Sequence, residues 1–248
     1  MRLTVGYRGT QYAGWAMQPG KPTVQAALER ALHNAVGHRV RVAAAGRTDS
    51  GVHADAQVVS FETSSAIPAA GLQTTLPRWL PTDIWVVDAA DSSNVFDARR
   101  DAIRRWYRYA LWRSHSAPPT AWQGRCLQYP DPLDLDAMRA AARALLGPHD
   151  FAAFATSPPA NAHTRRTVYA ADLLAVDESL LIVEMCADAY VKQMVRAIVG
   201  SLLLVGSGRW SVADFTSALA STDRRAAGPN APAVGLSLHR IDYPTETV

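Results

Sequence analysis

Gly46-Arg47-Thr48-Asp49-Ser50-Gly51-Val52-His53-Ala54, continued by Gln57-Val58 and Phe61, is a polar, glycine-bracketed segment between two apolar runs. The runs, Arg39 to Ala45 and Gln57 to Phe61, have the composition of strands. Glycine permits a tight or left-handed backbone and lets a ligand come close. A carboxylate held between strands, two residues from a guanidinium, ionises readily, because a nearby cation favours the charged form. An ionised, positioned Asp can serve as nucleophile or base. It can equally cap the turn with the arginine as its partner. On the residues alone both readings of Asp49 stay open.

Outward from this segment, the pattern is one of mixed elements. Leu3, Val5 and Tyr7 alternate with small and polar residues as in a strand. Thr23 is placed to cap a helix to about Val36, with Val24, Ala27, Leu28, Ala31, Leu32, Ala35 and Val36 as its apolar stripe and Gly37 as its stop. Pro68 to Trp79 suits a helix and Ile84 to Ala89 a strand. A polar stretch, Asp91-Ser92-Ser93-Asn94, precedes an expected domain boundary between residues 98 and 99. Beyond it, Arg105 to Trp112 alternates two faces. Asp134 to Leu146 predicts a helix ended by Gly147-Pro148. Thr167 to Val176 and Leu180 to Cys186 predict a hairpin around Asp177-Glu178-Ser179. Tyr190 to Val205 predicts a long apolar helix, Ser211-Val212-Ala213-Asp214 opens another with a capping box, and Leu236 to Tyr243 closes the chain as a strand. Each half (1–98 and 99–248) thus mixes strands and helices with hairpins, which predicts an α+β fold with mostly antiparallel sheets.

Composition narrows the function classes. The 248 residues are 48% hydrophobic, enough for a sizeable core, and no apolar stretch approaches a membrane span. Met1 leads straight into a strand-like alternation rather than a signal peptide, so a soluble cytoplasmic protein is expected. Cys126 and Cys186 are too few for a disulfide framework, and no Cys/His spacing suggests zinc. Neither a phosphate-binding loop nor a dinucleotide fingerprint is present, so no cofactor is expected. Net charge is only +3, but 23 of the 25 basic residues are arginines, with Lys21 and Lys192 the exceptions. Arg99, Arg100, Arg104, Arg105 and Arg108 crowd together, and Arg165-Arg166 and Arg224-Arg225 form pairs. Arginine's planar fork suits phosphate. Composition alone fits solvated charged faces as well.

The central segment resembles the signature of the TruA family of tRNA pseudouridine synthases. Further resemblance follows in order: Tyr7-Arg8-Gly9-Thr10 with Gly14-Trp15, Thr23-Val24-Gln25, Leu80-Pro81, Phe96 with Ala98-Arg99 and Ala102, Arg105 with Tyr107-Arg108-Tyr109, His149-Asp150-Phe151, Met194-Val195-Arg196, Val205-Gly206-Ser207-Gly208, and Ala231-Pro232 with Gly235-Leu236. Departures from the family pattern are Ala16, Ser50, Pro77 and the segment Ala187 to Lys192. They bear on substrate contacts and leave the Asp, the Tyr and the Arg in place.

The resemblance implies a pseudouridine synthase fold, its two domains' sheets joined into one extended sheet with the active-site cleft between them. It implies conversion of uridine to pseudouridine at positions 38, 39 and 40 of the tRNA anticodon stem-loop. Asp49 is then the nucleophile, Arg196 its ion-pair partner, and Tyr107 the ring that stacks on uracil. A stacked uridine must flip out to react, and Arg47 is the residue to brace the vacated space or to pair with Asp49. Phosphate contacts fall to the arginine clusters. His53 is expected to order the loop and His163 to lie on the surface. The family also implies a homodimer, and no metal. A non-catalytic RNA-binding module would lack the Asp; a sister synthase would act on another RNA position; a glycosidase would need a second placed carboxylate, where this segment offers arginine.

Overall fold

The computed structural model describes residues 1–93, 95–156 and 163–244, so Asn94 of the expected linker lies outside the described residues. Along the chain run β1 (Arg2–Tyr7), α1 (Val24–Val36), β2 (Ala43–Ala44), β3 (His53–Ser60), α2 (Ala69–Thr75), β4 (Ile84–Ala90), β5 (Arg104–Trp112), β6 (Leu127–Gln128), α3 (Leu135–Arg143), β7 (Gly147–Asp150), β8 (Arg165–Ala175), β9 (Leu180–Ala187), α4 (Met194–Gly206), α5 (Val212–Ala220) and β10 (Leu236–Asp242). The architecture is α+β and strand pairing is mostly antiparallel. Two compact units result: Met1–Arg105 with Ser237–Val248, and Trp106–Leu236.

In the first unit the strand order is β4-β1-β3-β10. Leu3, Val5 and Tyr7 of β1 are fully buried, as the alternation demands. β3 lies antiparallel to β1, with Leu3 opposite Val59 and Val5 opposite Gln57. Its other edge is shared. Near Ser60 it pairs with the short β2, and at His53 and Ala54 it pairs in parallel with Ser237 and Leu238 of β10. The segment between β2 and β3, which contains Asp49, therefore starts and ends on strands of one sheet. The first unit runs to Arg105, past the expected break after Ala98, because the chain's end returns to it. Ile103 N donates to Asp242 O (2.9 Å) and the Tyr243 hydroxyl to Ala98 O (2.7 Å). α1 forms because Thr23 Oγ1 accepts from the amide of Ala26 and the stripe Val24, Ala27, Leu28, Ala31, Leu32 is buried. Each large aliphatic side chain so buried contributes roughly 1.5–3 kcal/mol.

In the second unit the order is β5-β9-β8-β7, with β6 alongside β5. The expected hairpin of β8 and β9 is present, and Asp177 Oδ1 accepts from the amides of Ser179 and Leu180 to close it. α3 ends at Arg143, with Ala144 as its C-cap, three residues before the expected end at Leu146, because the last residues tighten into turns (Leu145 N donates to Ala142 O, Leu146 N to Arg143 O). Gly147-Pro148 instead opens β7, whose four residues carry no alternating signal. α4 is buried on nearly all sides, including Met194, Ile198, Val199 and Leu202. It starts at Met194 rather than Tyr190, because Gln193 has left-handed backbone geometry and the helix cannot extend through it. α5 opens with the expected capping box: Asp214 N donates to Ser211 Oγ, and Ser211 N to Asp214 Oδ2. Among the described residues no helix is long and apolar enough to cross a membrane.

Candidate active site

The Asp49 segment is held at almost every residue. The fully buried Gln57 clamps Gly46 at both polar atoms. Its Nε2 donates to Gly46 O (2.6 Å), and Gly46 N donates to its Oε1 (3.3 Å). The hydroxyl of buried Thr48 bonds that of buried Tyr7 at 2.8 Å, and Thr48 O accepts from the amide of Trp15. Burial pushes the Tyr7 hydroxyl well above its ordinary pKa, against the smaller opposing effect of its bonds to Thr48 and Gln57, so it stays a neutral hydrogen-bonding group. Asp49 O accepts from Val52 N (3.2 Å), closing a tight turn, while Ser50 Oγ and Gly51 N both donate to Tyr12 O. Gly14, at φ 105°, lies under this turn. A Cβ there would sit 2.8 Å from Thr48 O, so only glycine allows the two segments to meet. His53 is buried and its Nδ1 accepts from Gly9 N at 3.2 Å. That bond leaves the ring proton of a neutral His53 on Nε2. The consequence is a rigid turn with Asp49 half-buried and Arg47 exposed, the arrangement a positioned nucleophile needs.

Tyr107 and Arg196 belong to the second unit. Tyr107 is a buried residue of β5, its ring edge-on to Tyr190 with centroids 5.0 Å apart. Tyr109, two residues on, is fully buried and donates to Pro232 O (2.7 Å). Arg196 is half-buried in α4, and its Nε donates to Ala231 O at 2.7 Å. Its charge acts on the Tyr109 hydroxyl, lowering it against the larger raising effect of burial. An Arg in so apolar a helix needs partners, and the 231 carbonyl is one.

Not every arginine in the sequence clusters is available to phosphate. Arg108 is paired with Glu184. Arg224 donates to the carbonyls of Ala227 and Gly228 and to Asn230 Oδ1, so it braces its own loop. Arg225 is bidentate on Asp223. Arg99 and Arg104 are exposed, Arg104 with an interaction of its own within the protein. Two residues that organise these surroundings carry no signal of that role in the sequence pattern. Gln57 lies just past the signature, and Gln193 precedes Met194-Val195-Arg196, but neither type announces a clamp.

A family model described as tRNA pseudouridine synthase matches residues 3–99 and 141–244. The chain belongs to the tRNA pseudouridine synthase family. Members of this family are isomerases that convert uridine in tRNA to pseudouridine. Relatives named tRNA pseudouridine synthase A agree over almost the full length. The one from Pelobacter propionicus is 39% identical over 98% of this chain and 99% of its own. The one from Chloroflexus aurantiacus is 42% identical over 98% of this chain and 88% of its own. A solved archaeal box H/ACA sRNP Nop10–Cbf5 complex aligns over 92% of this chain and 70% of that chain, at 12% identity and a TM-score of 0.34, too loose to bear on the fold.

Proposed function

We propose that this chain isomerises uridine to pseudouridine at positions 38, 39 and 40 of the tRNA anticodon stem-loop, with Asp49 as the nucleophile. The rigid turn carries this assignment: half-buried Asp49 lies in a segment of the family's signature whose backbone and neighbouring side chains are held by Gln57, Tyr7 and Tyr12. In the reaction the bond from uracil N1 to ribose C1′ breaks, the base turns over, and a bond from C5 to C1′ forms. The C5 proton leaves and N1 takes up a proton, so no redox partner or donated group is required. Attack at ribose C1′ and attack at uracil C6 both demand an ionised, aimed carboxylate. Arg196 is the cation assigned to keep Asp49 so, Tyr107 stacks on the uracil, and Arg47 braces the helix once the target has flipped out. The first unit carries the nucleophile; the second carries Tyr107 and Arg196. Family resemblance supports a homodimer acting in the cytoplasm, in which both subunits touch one tRNA.

The test is a pseudouridine map of tRNA from cells lacking the gene, complemented with wild-type protein or with Asp49→Asn. Loss confined to positions 38–40, restored by wild type alone, is expected. Loss in another tRNA arm or only in rRNA would transfer the chemistry to a sister activity. Restoration by Asp49→Asn would remove Asp49 from its role.

A further inference from the structure

Among the described residues, Gln193 is the one non-glycine with a left-handed backbone, at φ 63°. It stands at the N-terminus of α4, three residues before Arg196. Such geometry strains any residue with a Cβ and persists only where the surroundings over-determine it. Here they do. Gln193 Oε1 accepts from Thr156 Oγ1 and from Asn230 Nδ2, each at 2.6 Å. Lys192 O, next in the chain, accepts from Thr156 N at 3.1 Å. Asn230 is itself fixed, since its Oδ1 accepts from Arg224 Nη2 at 3.0 Å.

Asn230 belongs to a strap, residues 228–231, that runs back along α4. Gly228 N donates to Ser201 Oγ at 2.9 Å. Pro229 crosses Gly200, where a Cβ would lie 1.7 Å from the Pro229 oxygen, so the strap reaches the helix only because residue 200 is glycine. Ala231 exchanges two hydrogen bonds with Arg196: its amide to Arg196 O (2.9 Å) and its carbonyl from Arg196 Nε (2.7 Å). The adjacent residues Asn230 and Ala231 thus grip positions 193 and 196, one turn of helix apart. A guanidinium is planar, so holding Nε sets the direction of both Nη groups.

We propose that Gln193 is a positioning residue for pseudouridine formation: through Asn230 it sets the strap, and through Ala231 O the strap sets the guanidinium of Arg196. The proposal rests on Arg196 being part of the catalytic machinery. Its retention of strain is then intelligible. Glycine at 193 would relieve the backbone but would release the strap.

Single-turnover pseudouridine formation on tRNA, with tRNA affinity measured in parallel, tests this. Gln193→Gly slows the reaction at saturating enzyme by about 10- to 100-fold, as for a misaimed catalytic group, and leaves tRNA affinity within about threefold of wild type. Asn230→Asp keeps the size and the acceptor for Arg224 but exchanges the Nδ2 donor for an oxygen, and it acts the same way. Should Gln193→Gly not fold, Asn230→Asp carries the test. In the Arg196→Lys background, where no Nε remains to be held, neither substitution slows the reaction further by more than about twofold. Wild-type rates for the single variants, equal losses in both backgrounds, or losses confined to tRNA affinity would overturn the proposal. An Arg196→Ala protein with a wild-type rate would overturn the role of Arg196 itself, which is a separate result.

Discussion

The side chain of Arg196 and the backbone of Ala231 hold each other: Nε donates to the Ala231 carbonyl at 2.7 Å, and the Ala231 amide donates to the Arg196 carbonyl at 2.9 Å. One edge of the guanidinium is therefore committed to the protein, and its aim is set before any substrate arrives. Preorganisation of this kind is what makes a charge effective in a reacting site.

Arg196→Ala is expected to slow single-turnover pseudouridine formation by about 100-fold or more, the range seen when one preorganised electrostatic group is lost. Arg196→Lys recovers only part of that, because the ammonium restores charge without the Nε that Ala231 holds. A rate for Arg196→Ala close to wild type would show that this guanidinium does not serve the reaction.

Gln57→Ala removes both bonds to Gly46 from a fully buried site. Leaving the amide and carbonyl of Gly46 unpaired is expected to cost about 2–3 kcal/mol of stability in urea unfolding. Turnover should fall further than stability explains, because the released turn carries Asp49. Unchanged turnover in the folded variant would mean that the clamp does not aim the carboxylate.

The parts of this molecule that sequence could disclose are local ones. Thr23 and the stripe from Val24 to Leu32 specify α1 within one contiguous segment, and Ser211 with Asp214 specifies the start of α5 over a single turn. The Asp49 turn was legible because glycines bracket it. The parallel pairing of His53 with Ser237 was not, since neither residue's neighbours encode a partner so distant in the chain. The start of α4 is not legible in the sequence for a related reason. The apolar pattern continues back to Tyr190, and only tertiary bonds from Thr156 and Asn230 hold Gln193 in the geometry that stops the helix. Arg224 and Arg225 read as a phosphate-binding pair on spacing, yet spacing does not tell a guanidinium that faces solvent from one that solvates its own loop.

Asp97 gives a pH-dependent prediction. Its Oδ1 accepts from the amides of Arg99 and Arg100, and its Oδ2 lies 3.4 Å from the Arg100 guanidinium. The bond from the Arg100 amide, aided by that of Arg99 and by the Arg100 charge, holds its carboxyl below the usual carboxylate range, against a smaller effect of burial. A group depressed in the folded state stabilises fully above its unfolded pKa, about 3.9 for Asp, and the contribution is lost as pH falls through the folded value. Asp97→Asn should therefore be less stable than wild type at pH 7 by about 0.5 kcal/mol, a value kept small by solvent screening. The gap should close as pH falls below that of a free carboxylate. Urea midpoints across this pH range check it, and a gap that widened towards acid would contradict the assigned sign.

Binding of tRNA should depend on particular arginines rather than on bulk charge. The net charge of +3 is too small to attract a polyanion strongly without placed contacts. Arg99 and Arg104 are both exposed in the first unit, Arg104 with an interaction of its own within the protein; Arg224 is bonded to Ala227 O, Gly228 O and Asn230 Oδ1, and Arg225 to Asp223. Removing one arginine changes net charge equally at any of these sites, so comparing them separates contact from charge. If Arg99 and Arg104 meet phosphates, their paired replacement by Gln weakens binding to every tRNA alike. It also lowers the slope of log affinity against log salt by about 0.7 to 0.9 for each lost contact. Arg225→Gln, whose charge is already offset by Asp223, should leave that slope nearly unchanged. Arg224→Gln should leave it nearly unchanged too, yet should slow turnover, because the brace on Asn230 is lost. Titrations of labelled tRNA at several salt concentrations read all of these variants. Equal slope changes at all four arginines would show that tRNA senses only total charge, and would remove Arg99 and Arg104 from the contact surface.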